Sequence, residues 1–203
     1  MTSVRTLARL ERAEFAALLE ELTPQQWAAP SLCAGWTVRD VVTHTIAYLG
    51  QSRIRLLVNM IRARGDVDKI NAAGLGAYGD LPPARLVEMM RHGAEPSGAG
   101  ALYGGRVALI ECTIHQQDIR RPLAQPRVIP EERLRVSLSY ARVSPVIGGA
   151  RRTRGVRLVA TDINWSAGHG PEVRGSGEAL LLAMTGRAKY LDELDGAGVT
   201  LLR

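Results

Sequence analysis

ECTIHQQDIRRP, residues 111–122, sets a glutamate four residues before a histidine and an aspartate three residues after it. The apolar VALI before it and IRRPL at its end read as a largely buried helix. An α-helix turns about 100° per residue, so Glu111, His115 and Asp118 fall on one narrow stripe. Burying three polar side chains is costly unless something satisfies them. A metal ion is one answer, and a hydrogen-bonded core triad is the other.

Ligands at i and i+4 can share one ion at about 2.0–2.2 Å, the zinc range for nitrogen and carboxylate oxygen. A third ligand must then come from another helix. His44 is the candidate, because it lies inside a second amphipathic segment with apolar neighbours. Helices of a bundle assemble metal sites in this way. Two histidines and one carboxylate leave a coordination position open, as catalytic rather than structural sites do. Asp118 suits the outer role of orienting a ligand or a bound substrate.

Outward from this stripe, the chain reads as mostly helical in its first two thirds. Leu7, Leu10, Phe15, Leu18 and Leu22 mark a helix over about 4–22, and Pro24 and Pro30 bracket a connector carrying Trp27. Thr37 followed by Asp40 is a capping-box pattern, so a helix starts near Val38, with room to run to about Arg64 and Gly65 as its stop. On it, His44 shares a face with Val41 and Tyr48. Residues 65–80 read as a loop or broken helix. Pro82 and Pro83 open a third helix, carrying Leu86, Met89 and Met90, which Gly93 ends. The Gly-rich stretch 93–105 is a connector or a lid, and a fourth helix covers about 104–119. Pro130, Glu131 and Glu132 start another, through about Ser144.

Composition changes after that. PVIGGARRTRG reads as a linker, GVRLVATD as a strand, NWSAGHGPEVRG as a hairpin and GVTLLR as a final strand, with Ser176 capping the helix GEALLLAMTG. The expected class is α+β: a helical bundle at 1–147 with the candidate metal site, and a small α+β domain at 150–203.

The 203 residues are enough for one good core plus a small second unit. No apolar run reaches the roughly 18 residues of a membrane span. The N-terminus has no signal-peptide pattern, so the expected location is the cytoplasm. Two cysteines do not make a disulfide framework, and Cys33 and Cys112 read as structural. The net charge is +6, yet aromatics interleaved with the basic cluster at Arg151, Arg152 and Arg154 are few. Neither a nucleic-acid partner nor a membrane is expected. Of the 26 basic residues only Lys69 and Lys189 are lysine, which reads as high-GC codon bias and hints at an actinobacterial source. Arg53, Arg55 and Arg106 read as solvated surface residues rather than substrate clamps. No G-x-S-x-G or Walker-type loop is present.

WTVRDVVTH at 36–44, with ECTIHQQDIRRP about 70 residues later, resembles the mycothiol-dependent maleylpyruvate isomerase family, within the DinB/YfiT-like superfamily of metal-binding four-helix bundles. The likeness extends to LARLERAEFAALLEEL and to the C-terminal GVRLVATDINWSAGHGPEVRGSGEALLLAMTGR, and is weakest over 60–103. It implies that His44, Glu111 and His115 bind a divalent ion, most often zinc. It implies mycothiol as cosubstrate, its thiol activated by the metal to attack a small electrophile. In the isomerase the thiolate adds to a conjugated double bond and leaves after rotation, whereas in related transferases it stays attached. Two other readings share this fold: a non-catalytic metal- or ligand-binding protein, and a metal-assisted hydrolase. A homodimer is a further expectation, since such bundles often dimerise.

Overall fold

A computed structural model describes residues 2–64 and 67–202. In chain order the helices are α1 (Val4–Glu20), α2 (Pro24–Trp27), α3 (Val38–Gly50), α4 (Arg53–Arg62), α5 (Val67–Tyr78), α6 (Pro83–His92), α7 (Arg106–Arg120), α8 (Glu131–Val143), α9 (Gly149–Arg152) and α10 (Gly177–Met184). Three short strands, β1 (Arg157–Ala160), β2 (Ser166–Gly168) and β3 (Glu172–Gly175), lie between α9 and α10. The class is α+β, as the sequence implies. The chain divides into two units, Met1–Pro126 and Arg127–Arg203.

In the first unit α1, α3, α6 and α7 form a closed ring: α1 packs on α6 and α7, and α3 packs on the same two helices from the other side. Phe15 and Leu19 of α1, Val42 and Leu49 of α3, Leu86 and Met90 of α6, and Leu109 and Ile119 of α7 fill the middle and are buried. Leu10, counted with this apolar set in the sequence, is exposed, whereas its neighbours Glu11 and Arg12 are buried. The reason is a polar layer that ties α1 to its partners. The Gln116 amide donates to Glu11 Oε1 at 2.8 Å and to the Glu11 carbonyl at 3.1 Å. Arg12 Nε donates to the Met90 carbonyl at 3.0 Å. Burial of this guanidinium lowers its pKa.

Thr37 caps α3 as its sequence predicts. Its hydroxyl accepts from the Asp40 N–H, and the Asp40 carboxylate accepts from the Thr37 N–H at 2.9 Å. The single helix expected over 38–64 is two helices. Gln51 leaves the helix with extended backbone, and Ser52 caps α4 by accepting from the Arg55 N–H. The Gln51 carbonyl instead accepts from the Ala99 N–H at 3.0 Å. Gly98, at φ +48°, passes so close that a Cβ there would lie 2.3 Å from that carbonyl oxygen. The Gly-rich stretch is thus seated on the end of α3. The loop or broken helix expected over 65–80 is helical at Val67–Tyr78, packed on α3. The stop assigned to Gly65 lies outside the described residues.

In the second unit α10 is buried except at Glu178 and packs on α8, α9 and the sheet. Ser176 caps it by accepting from the Ala179 N–H, as its sequence predicts. Helix 131–143, grouped with the bundle in the sequence reading, packs here, with Leu134 and Leu138 against the start of α10. The sheet order is β2-β1-β3, with β1 antiparallel to β2 and parallel to β3. The hairpin expected around Gly168-His169-Gly170 therefore does not form; the hairpin pairs β1 with β2 instead. The 169–171 connection carries the chain past the start of β1 to its other edge. Gly170, at φ +118°, makes that passage: a Cβ there would lie 2.1 Å from the Gly155 carbonyl. The expected last strand is a 3-10 turn at Val199–Leu201.

Candidate metal centre

The capped start of α3 presents His44 in its second turn toward α7, where Glu111, His115 and Asp118 share one face. His115 Nε2 lies 3.2 Å from Glu111 Oε2, and His44 Nε2 lies 3.8 Å from the same oxygen. One donor atom from each of His44, Glu111 and His115 falls within 4.8 Å of the other two. Three vertices of a tetrahedron of radius about 2.1 Å stand about 3.4 Å apart, so this set fits a zinc-sized ion after small side-chain shifts.

The rings are held from several directions. His44 stands between Trp36, tilted at 5.2 Å, and Tyr48, stacked at 5.9 Å. Its ring meets that of His115 edge-on at 5.1 Å. On the second nitrogen of His115, Nδ1 is 2.9 Å from Asp118 Oδ2. The same oxygen accepts from the Cys33 thiol at 3.2 Å. The Leu32 N–H donates to the Asp118 carbonyl at 2.9 Å, tying the 31–37 loop to α7.

Burial opposes charge on His115, but its hydrogen bonds to Asp118, Cys33 and Glu111 outweigh that and raise its pKa well above the ordinary value. Burial would also push Glu111 up, yet hydrogen bonds from His115 and then His44 hold its carboxyl well below the usual range. Metal coordination through Nε2 would require His115 to be neutral.

A cavity of about 320 Å³ opens beside His44. Tyr48, Gln51, Ser52, Arg55, Asn59 and Tyr78 are among its lining residues. Arg55, read from sequence as a surface residue, is exposed and also borders this cavity. Arg53 is exposed, and Arg106 donates to the Tyr103 carbonyl. His92 faces Glu88 on the surface, and Cys112 is fully buried.

Cys33, which reads as structural in the sequence, has its thiol beside the site, on Asp118. With His115 and Asp118 it forms a second set of donors that could hold a metal ion. Its neighbour Trp36 stands against His44. Position alone gave no signal for Cys33, because it lies 85 residues from Asp118.

Residues 8–96 match the family model described as mycothiol maleylpyruvate isomerase N-terminal domain. That stretch includes His44, and Glu111 and His115 lie beyond it. No curated protein matches. Among solved structures, the crystal structure of a mycothiol-dependent maleylpyruvate isomerase superposes with a TM-score of 0.61 at 17% identity, over 97% of this chain and 96% of that one. A histidine-to-alanine mutant of such an isomerase superposes with a TM-score of 0.59 at 18% identity, over the same shares. The chain thus resembles the mycothiol maleylpyruvate isomerase family in sequence across residues 8–96, and in fold across nearly its whole length.

Proposed function

We propose that this chain is a metal-dependent enzyme that uses the thiol of mycothiol on a small electrophile, by isomerisation or by S-transfer. The observation that carries the reading is the convergence of His44, Glu111 and His115, with His44 also lining a cavity of about 320 Å³. A divalent cation, zinc by donor type, supplies Lewis acidity there and draws the pKa of a coordinated thiol below its free value of about 8.5.

The rest is the work of the chain. Glu111, held ionised, brings the negative charge that favours a dication. The Asp118 carboxylate accepts the Nδ1 proton of His115 and would so leave Nε2 free to hold an ion. Trp36 and Tyr48 fix the plane of His44. The cavity would take the thiol and the electrophile beside one another, with Tyr48, Arg55, Asn59 and Tyr78 among the residues that line it.

The test is turnover of maleylpyruvate and of a panel of small electrophiles by zinc-loaded protein, with and without mycothiol. The reading expects a rate that requires mycothiol and is lost in His115→Ala. Turnover indifferent to mycothiol would move the chemistry to water and to the hydrolase reading. Metal uptake without mycothiol binding would leave a binding protein.

A further inference from the structure

Helix α4 is turned with its apolar side out. Arg55 and Asn59 face the cavity, and Asn59 Nδ2 donates to Gln51 Oε1 at 3.1 Å. The outward stripe is Ile54, Leu57, Val58 and Ile61, spaced i, i+3, i+4 and i+7. These side chains are 77%, 61%, 36% and 68% exposed, and α4 contributes no buried residue. At 100° per residue, Arg53 falls about 90° to one side of the stripe, and Arg55 and Arg62 about 90° to the other. Residues 51–64 hold four arginines, Arg53, Arg55, Arg62 and Arg64, and no acid.

We infer that α4 docks the protein peripherally on an anionic lipid surface. Cations bordering an apolar stripe on both sides suit an interface: the stripe enters the headgroup–acyl boundary, and the arginine stems extend along it to reach the phosphates. The chain's net charge of +6 adds long-range attraction to such a surface. A second copy fits the face poorly. Ten residues make a helix about 15 Å long and about 10 Å wide, a footprint far below the about 800 Å² per partner of a stable interface. Two such faces would also bring arginines against arginines. The docking concerns one surface helix and no membrane span; among the described residues, no helix is long and apolar enough to cross a bilayer.

The experiment is vesicle co-sedimentation of the full chain, with phosphatidylcholine alone and with phosphatidylcholine mixed with phosphatidylglycerol, at low and raised salt. Wild type is expected to sediment with the anionic vesicles and to be released by salt. Leu57→Asp combined with Ile61→Asp should lower that binding by about tenfold or more, as loss of the buried apolar face requires. Arg53→Glu with Arg62→Glu keeps the stripe and should lose the preference for anionic lipid, which covers the case in which the first variant misfolds. Absence of wild-type binding to anionic vesicles at low salt overturns the inference, as does binding by both variants undiminished from that of wild type. Self-association of wild type in sedimentation velocity that the aspartate variant abolishes, without lipid binding, assigns the face to a second copy and overturns it too.

Discussion

The Nδ1 of His115 lies 2.9 Å from Oδ2 of Asp118, so the nitrogen that does not face Glu111 is already committed to a carboxylate. This bond sets which nitrogen is free for an ion. Asp118→Asn keeps the shape of this fully buried side chain and removes its charge. Zinc affinity, measured by competition with a chromophoric chelator, should fall about 10- to 100-fold, the range found for outer partners of metal-binding histidines. Unchanged affinity would make Asp118 a packing residue only.

Two donor sets share His115, and they differ in sulfur. If the ion sits on His44, Glu111 and His115, both His44→Ala and His115→Ala lose the near-stoichiometric metal that elemental mass spectrometry should find in wild type. Cys33→Ser should retain it. Cobalt-loaded wild type should then show no sulfur-to-cobalt charge-transfer band in the near ultraviolet. Such a band, lost in Cys33→Ser, would place the ion on Cys33, His115 and Asp118 instead.

Gln116 is one residue from His115 yet belongs to the polar layer, donating to Glu11 and accepting from Arg120 Nε at 3.3 Å. Gln116→Leu leaves Glu11 without that donor in a buried setting. The expected cost is about 1–3 kcal/mol, read as a lower urea midpoint at constant slope. The metal content should stay that of wild type, since Gln116 supplies no ligand. Loss of metal at full stability would show that the layer positions the site rather than the helix.

The i, i+4, i+7 stripe on α7 and the capping box before His44 were legible because each is a local pattern on one helix. Their meeting was legible only as a hypothesis, since the distance between α3 and α7 is set by packing. Gly50-Gln51-Ser52 carried the signal for the break between α3 and α4, a glycine followed by a serine cap, but apolar residues on both sides masked it. The β1–β2 pairing was hidden for another reason. Residues 164–175 contain two short runs around a glycine turn, and only the close passage of Gly170 over Gly155 shows why they flank a third strand. The contacts of Cys33 and Glu11 with α7 were not legible because they run across many residues of chain, where periodicity says nothing.

Thr37 offers a way to separate the stability of α3 from the chemistry it carries. Its hydroxyl accepts from the Asp40 N–H at 3.2 Å and donates to the Asp40 carboxylate at 2.6 Å. Thr37→Ala removes both contacts and should cost about 1 kcal/mol, whereas Thr37→Ser should cost little, because the capping oxygen remains. His44 lies beyond the first turn, where fraying is confined, and Trp36 and Tyr48 hold its ring. Zinc affinity of Thr37→Ala should therefore stay within a few-fold of wild type while its thermal midpoint falls. A large loss of affinity, recovered in Thr37→Ser, would mean that the start of α3 is held in register by its cap alone, and that the cap sets the distance from His44 to Glu111.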